Sequence, residues 1–329
     1  MKVSAVDVLK GRSSSRKYKR IEDTCELSEK VIDIHIHPLP TLITENDLLA
    51  ELREAKVDLG VLLALDVDPK DLSCHKIRNR ILQRCLDLYV WDAPRVIEEM
   101  LWLLQTVRTD NELIAALVKR YPQNLIGFGS VNLSKSPAYV EDKIREIDKL
   151  GLRGIKLIPT LQFFNPVNVR KKLELVFKYC EKNGKIVMFH TGCDPGVWEH
   201  PEFSEDANPR HLQSIIQDFE GTPVVLAHMG CYSARSPGIW LDEALRLGRA
   251  HENVWFDISA VTYVVTQRKF VEKIRETVGM DRILFGSDYP AVQGFSIQSA
   301  VNAVKNSPHL TEEEKTKILS LNALRLLDL

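Results

Sequence analysis

The chain has few cysteines and no long apolar run, and each scarcity excludes a class of protein. Its six cysteines are scattered over 329 residues, without the close pairs of a zinc ribbon or the density of a disulfide scaffold. We therefore expect free thiols and a cytoplasmic location. No apolar stretch is long enough to span a bilayer. The first ten residues mix charges without a sustained apolar core, so we expect no signal peptide.

An excess of charge of either sign is also missing. The chain has 44 lysines and arginines against 45 acidic residues, so no global field recruits nucleic acid or an anionic membrane. Lys10 to Arg20 carries six basic residues around a serine run, which could be a small phosphate or nucleic-acid patch. A solvated lead-in to the first strand explains it more simply. We expect a small-molecule substrate bound in a local pocket, no nucleic-acid partner and no membrane partner; a homodimer remains open.

What the chain does have is a regular alternation of apolar runs and helical patterns. Hydrophobic residues make up 44% of it, enough for a large core. Helical spacing is clear at Leu173, Val176, Phe177 and Cys180, which form one apolar stripe. There are eight strand-like runs, each followed by a helical pattern and almost continuously apolar, so a closed parallel barrel is favoured over an open doubly wound sheet. We predict a (β/α)8 TIM barrel over residues 31–329, after a lead-in at 1–30, with strands at 31–36, 57–65, 125–131, 152–158, 185–190, 223–228, 253–258 and 282–287.

The segment at about 67–123 interrupts this alternation. It is longer than one connecting helix and is typical of two, from His75 to Trp91 and from Pro94 to Arg120. We interpret it as a helical insertion after strand 2. If it leaves from the carboxyl end of that strand, it lies above the barrel mouth as a lid or dimer surface. A helical hairpin on the barrel flank is an equally good interpretation.

Residues 33–37, Asp-Ile-His-Ile-His, are the most informative stretch. Strand alternation predicts that His35 and His37 lie on one side and that Ile32, Ile34 and Ile36 lie on the other. Two histidines that point the same way form half of a metal site, although a structural histidine pair is the simpler alternative.

The same design recurs at other strand ends. His190, His228 and Asp288 each follow an apolar run, and Lys156 lies inside another. Polar groups therefore cluster at the carboxyl ends of the predicted strands, where parallel barrels carry their active sites. Imidazole and carboxylate suit zinc and also manganese, iron or cobalt.

Six motifs together resemble the amidohydrolase superfamily. They resemble its second large branch, which includes aminocarboxymuconate-semialdehyde decarboxylase and related metal-dependent hydrolases. The resemblance runs from Val31 to the carboxyl terminus. The motifs are Asp-x-His-x-His at 33–37, Gly-Ile-Lys-Leu-Ile-Pro at 154–159, Phe-His-Thr-Gly at 189–192, Ala-His-Met-Gly at 227–230, Phe-Gly-Ser-Asp-Tyr-Pro at 285–290 and Asn-Ala-x-Arg-Leu-Leu at 322–327.

The resemblance implies one divalent metal, most simply zinc, held by His35, His37, His190 and Asp288. Asp288 would also take the proton of a metal-activated water. The resemblance leaves His228 open, as general acid, substrate polariser or ligand of a second ion. Lys156 is also open: it could be carbamylated between two metals, bind a substrate carboxylate or pair with an acid in the barrel. We expect one metal.

The predicted mouth of the barrel mixes aromatic and hydrogen-bonding residues. Phe164 and Trp198 are expected to contact the substrate, and Arg235 could clamp a carboxylate. Our leading hypothesis is hydrolysis of an amide, ester or lactone. The alternatives are nonoxidative decarboxylation of an aromatic or unsaturated acid, and a noncatalytic metal-binding barrel.

Overall fold

Eight parallel strands close into a barrel in the order in which they occur along the chain. The computed structural model describes residues 30–90 and 92–329, so the predicted lead-in lies almost wholly outside the described residues. Each strand pairs in parallel with the next, and the amide of Ile34 donates to the carbonyl of Phe285 (3.1 Å) to close the barrel. The strands are β1 (Ile32–Ile36), β2 (Leu59–Leu63), β3 (Leu125–Ser130), β4 (Gly154–Leu157), β5 (Ile186–Gly192), β6 (Val224–Tyr232), β7 (Val254–Asp257) and β8 (Ile283–Leu284). The predicted TIM barrel is confirmed.

Helices between the strands cover the barrel. The predicted stripe at Leu173, Val176, Phe177 and Cys180 is buried at all four positions, and Thr44 and Thr311 begin their helices with capping boxes. The helices are α1 (Glu45–Glu54), α2 (His75–Asp87), α3 (Ala93–Val107), α4 (Asn111–Arg120), α5 (Pro137–Lys149), α6 (Arg170–Lys182), α7 (Pro201–Ser204), α8 (Gln213–Asp218), α9 (Leu241–Ala250), α10 (Tyr263–Thr266), α11 (Arg268–Thr277), α12 (Ile297–Lys305), α13 (Glu312–Thr316) and α14 (Asn322–Leu327). Among the described helices, none combines the length and apolarity needed to cross a membrane.

Two apolar layers separate the inside of the barrel from its outside. On β5, Ile186 and Met188 pack in the interior cluster, which also contains Leu324 of α14. Val187 and Phe189 alternate with them and belong to the larger cluster that includes the buried faces of the helices. This alternation carries His190, the next interior position, to the carboxyl end of the barrel.

Strand β1 departs from the predicted alternation. Ile32 and Ile34 pack in the interior cluster, whereas Ile36 packs in the outer layer. The expectation that the three isoleucines share one face is therefore wrong. The pairing of β1 with β2 shifts register between Asp33 and Ile36, which marks a bulge that re-aims the side chains that follow it.

The segment between β2 and β3 holds three α-helices rather than the two expected. The predicted helix from Pro94 to Arg120 is two helices, α3 and α4, because Thr109 pairs with Leu65 as an antiparallel bridge and interrupts the helical backbone. Ile114 of α4 packs close over Gly127 of β3, as a regular barrel helix does. We therefore propose that the insertion ends before Asn111.

Candidate active site

His35, His37 and Asp288 converge at the carboxyl end of the barrel. Nε2 of His35 lies 3.1 Å from Nε2 of His37, and Oδ1 of Asp288 lies 3.4 Å from both nitrogens. All three side chains are buried. Residues from the first strand and from beyond the eighth strand meet because these strands are neighbours in the closed barrel.

Backbone contacts fix where Asp288 lies. Its amide donates to the carbonyl of His35 (2.8 Å), and its φ of 62° is a left-handed conformation that non-glycine residues seldom adopt. Asp33 ties the same two segments together, because its Oδ1 accepts from the amides of His35 and Ser287, each at 3.0 Å. A strained backbone conformation of this kind is common at functional sites, where surrounding contacts stabilise it.

The pKa of Asp288 lies well below its usual range. Burial by itself would raise this pKa, but the hydrogen bond with His37 and the electrostatic interaction with His35 lower it by more. Burial lowers the pKa of His35 to about 3, and the charge of Lys156 acts in the same direction. Asp288 is therefore a carboxylate at neutral pH, and His35 is a neutral imidazole.

Asp257 sets the tautomer of His35. Its Oδ2 lies 2.9 Å from Nδ1 of His35. Burial by itself would raise the pKa of Asp257, but the hydrogen bond with His35 and the charge of Lys156 help to hold it below its usual range. A carboxylate accepts, so Nδ1 of His35 donates and the lone pair lies on Nε2, the nitrogen that faces His37. The sequence reasoning missed Asp257, although it is the last residue of an apolar strand.

His228 is oriented by the same segment, through contacts with Asp257 and Ser259. Its Nδ1 donates to the carbonyl of Ser259 (2.8 Å), which leaves the lone pair on Nε2. The amide of His228 donates to Oδ1 of Asp257 (3.0 Å), and its φ is 62°. This backbone turn departs from the regular alternation of β6, in which Val225 and Ala227 are the interior residues. Burial lowers the pKa of His228.

His190 lies next to His228 and is not a member of the compact group formed by His35, His37 and Asp288. The centroids of the two rings are 4.8 Å apart. Among the described residues, buried Nε2 of His190 has no hydrogen-bond partner. Oδ2 of Asp194 is 3.3 Å away without the alignment of a hydrogen bond, and burial raises the pKa of Asp194 to about 7. His190 as a metal ligand remains a prediction.

Lys156 lies among these groups inside the barrel. Its Nζ is 3.0 Å from Nε2 of His35, and the side chain is fully buried. Burial lowers its pKa to about 8, against the opposing charges of Asp257 and Asp288. In the part of the chain that the structure describes, Lys156 forms no ion pair within 4.0 Å, so the structure gives no support to pairing with an acid, one of the three alternatives for this residue.

The donor set fits a divalent metal. Ligands held at about 2.0–2.2 Å from one zinc ion lie about 3 Å from one another, close to the separations between His35, His37 and Asp288. A second group, His35, His228 and Asp257, is also compact. Both Nδ1 atoms of that group already donate to oxygen, so it is better explained as a network that supports the first group.

A cavity of about 700 Å³ opens over this cluster. His37, His190, His228 and Asp288 line it, together with Trp102, Leu103 and Val107 of α3. The inserted segment therefore covers the barrel mouth and not only the flank. Tyr232 also lines the cavity, with its ring centroid 4.6 Å from that of His228, and burial raises its pKa well above the ordinary value.

Three predicted substrate contacts lie outside the cavity lining. Phe164 is buried against Phe189 in the outer core, and Trp198 is buried in the apolar cluster of the inserted segment. Arg235 is exposed, with Nη1 3.4 Å from Nε2 of His200. Their contact with a substrate stays a prediction, because the side a loop residue faces depends on packing that sequence position alone does not fix.

These features define a TIM barrel with a histidine and carboxylate centre at the carboxyl end of its strands. A family model described as Amidohydrolase matches residues 32–329. The chain belongs to this amidohydrolase family, which confirms the resemblance of the motifs. No curated protein matches the chain.

Solved structures share the fold. An uncharacterized TIM-barrel protein from Bordetella bronchiseptica is 18% identical, with a TM-score of 0.64 over 91% of this chain and 98% of that chain. A probable 2-pyrone-4,6-dicarboxylic acid hydrolase from Acinetobacter baumannii is 15% identical, with a TM-score of 0.59 over 91% and 100%. A 5-carboxyvanillate decarboxylase from Novosphingobium aromaticivorans, solved with bound manganese, is 16% identical, with a TM-score of 0.57 over 86% and 80%.

Proposed function

We propose that this protein is a metal-dependent hydrolase that cleaves an amide, ester or lactone bond in a small molecule. The observation that carries the proposal is the position of the Asp288 carboxylate, 3.4 Å from Nε2 of both His35 and His37, in the lining of the cavity. A carboxylate in this position can accept the proton of an attacking water molecule.

His35, His37, His190 and Asp288 would hold the metal, with zinc the first choice for this donor set. When bound, zinc lowers the pKa of a water molecule from 15.7 to about 7. Asp257 keeps the lone pair of His35 on the nitrogen that faces the centre. The roles of the protein's own groups are thus to orient donors and to accept a proton.

His228 handles a second proton in this proposal. Its Nδ1 is committed to the carbonyl of Ser259, and the ring lines the cavity. Nε2 can therefore accept a proton from the nucleophile and return it to the leaving oxygen or nitrogen, which is the usual role of a catalytic histidine. Tyr232, in ring contact with His228, narrows the same region of the cavity.

Nonoxidative decarboxylation is the second candidate, because several similar structures are decarboxylases of aromatic acids. Lys156 is the buried cation nearest the centre and could attract a substrate carboxylate. We rank this reaction second because none of the described residues that line the cavity is a lysine or an arginine.

One experiment separates the two reactions. Protein loaded with zinc or manganese is incubated in oxygen-18 water with panels of esters, lactones, amides and aromatic acids. We expect oxygen-18 in a product carboxylate, and Asp288→Asn is the matched inactive control. Carbon dioxide release from an acid without oxygen-18 incorporation would overturn hydrolysis in favour of decarboxylation.

A further inference from the structure

The cavity has a polar floor and an apolar wall. The floor carries the histidines and Asp288 described above. The wall is built by the loop after β1, the end of β2, helix α3 and the loop after β4, with Leu39, Leu65, Trp102, Leu103, Val107 and Leu161. We call these six residues the apolar wall. A substrate whose reacting bond lies at the floor would place its remaining atoms against this wall.

Among the described residues that line the cavity there are acidic side chains but no lysine or arginine. Asp194, Glu199 and Asp288 line it, and among its described lining residues there is no cation to balance a further carboxylate. Lys156 lies with His35 inside the barrel and is not part of the lining, and Arg235 is exposed outside it. A carboxylate on the part of a substrate remote from the reacting bond would lose water without gaining an ion pair.

The rim continues the apolar surface outward. Trp102 is 59% exposed and Leu42 is 48% exposed, and both line the cavity. Large apolar side chains that are exposed beside a pocket favour apolar ligands, because each methylene removed from water strengthens binding by about fourfold.

From these observations we propose that the enzyme selects substrates whose part remote from the reacting bond is apolar and uncharged, such as alkyl or aryl acyl groups without a second carboxylate. The proposal rests on the hydrolase function and specifies its substrate class. The proposed substrate class differs from the dicarboxylic and aromatic acids that appear in the names of two similar structures.

The first test uses two esters that differ only at the remote end. In p-nitrophenyl hexanoate the acyl chain ends in a methyl group, and in the p-nitrophenyl monoester of adipic acid a carboxylate replaces that methyl. We expect kcat/KM for the hexanoate ester to exceed that for the adipate ester by about 100-fold, since the remote carboxylate would be buried without a partner.

The second test measures binding without turnover. 2-Heptanone and 6-oxoheptanoate are ketone analogues of the two acyl groups that have no bond to hydrolyse. They are titrated calorimetrically into metal-loaded protein, and we expect binding of 2-heptanone only. Leu103→Lys places an ammonium in the wall and should reverse the preference. Leu101→Lys is the matched control, because Leu101 is on the same helix, 37% exposed and outside the lining, and it should keep the wild-type preference.

The outcomes separate the two proposals. Selective 2-heptanone binding without hydrolysis of either ester supports the apolar wall and contradicts the hydrolase function. Hydrolysis with equal or reversed ester preference supports the function and overturns the substrate class. If the protein shows neither binding nor hydrolysis, both proposals are overturned. If Leu103→Lys does not change the selectivity, only the proposal of the apolar wall is overturned.

Discussion

Oδ2 of Asp257 lies 2.9 Å from Nδ1 of His35, on the far side of the imidazole from His37 and Asp288. The carboxylate therefore determines which nitrogen of His35 presents a lone pair to the centre. The other oxygen of Asp257 accepts the amide of His228 (3.0 Å), so one side chain positions two histidines from different strands. Such supporting contacts hold ligands in place before a metal arrives.

Asp257→Asn should weaken metal binding while the protein stays folded. An asparagine can turn its amide nitrogen toward Nδ1 and favour the wrong tautomer of His35, which should lower zinc affinity about 10- to 100-fold. Competition with a chelating dye measures this affinity. Asp142→Asn, on the exposed face of α5, is the control and should bind as the wild type does. Equal affinity in both variants would mean that Asp257 does not orient a ligand.

His190→Ala should lower metal content and hydrolytic activity together, because one of four proposed ligands is removed. Mass spectrometric metal analysis of the dialysed protein gives the stoichiometry. His211→Ala, a histidine bonded to Glu205 away from the centre, controls for the loss of an imidazole. Unchanged metal stoichiometry in His190→Ala would remove His190 from the ligand set.

His228→Ala should have the opposite profile. The metal should remain, while kcat falls by roughly 10²–10⁴, the usual contribution of acid–base assistance. Metal analysis and steady-state kinetics on one preparation check both parts. If the variant loses its metal, His228 is a ligand and a two-ion centre replaces the proposed single ion.

Metal binding should stabilise the folded protein, because the proposed ligands come from segments that are far apart in the sequence and meet only in the folded barrel. At a free zinc concentration about 100 times the dissociation constant, the free energy of unfolding should rise by about 2.7 kcal/mol. Urea unfolding with zinc and with a chelator measures the difference. The increase in the free energy of unfolding on adding zinc should be smaller in Asp288→Asn. Absence of any increase in the wild type would contradict a metal site that forms only in the folded protein.

Much of this architecture is predictable from the sequence because parallel barrel strands are buried on both faces. The runs that end at His190, His228 and Asp288 are apolar for that reason, and their polar residues mark the carboxyl ends. Parallel pairing then brings distant segments together, which is why the convergence of Asp288 with His35 and His37 could be expected.

Local departures from regular geometry could not be predicted in the same way. The bulge in β1 and the left-handed backbone at His228 and Asp288 depend on tertiary contacts. Asp257 was missed because Ile258 after it extends the apolar run and hides the end of the strand. Trp198 belongs to the core of the inserted segment, a packing that no local pattern reveals.

The most direct test of the metal centre is anomalous scattering from crystals of zinc- or manganese-loaded protein. We predict one ion, bound to Nε2 of His35, Nε2 of His37 and a carboxylate oxygen of Asp288, with His190 completing the set. An ion on the Asp257 side of His35, two ions, or no bound ion at saturating metal would contradict this account.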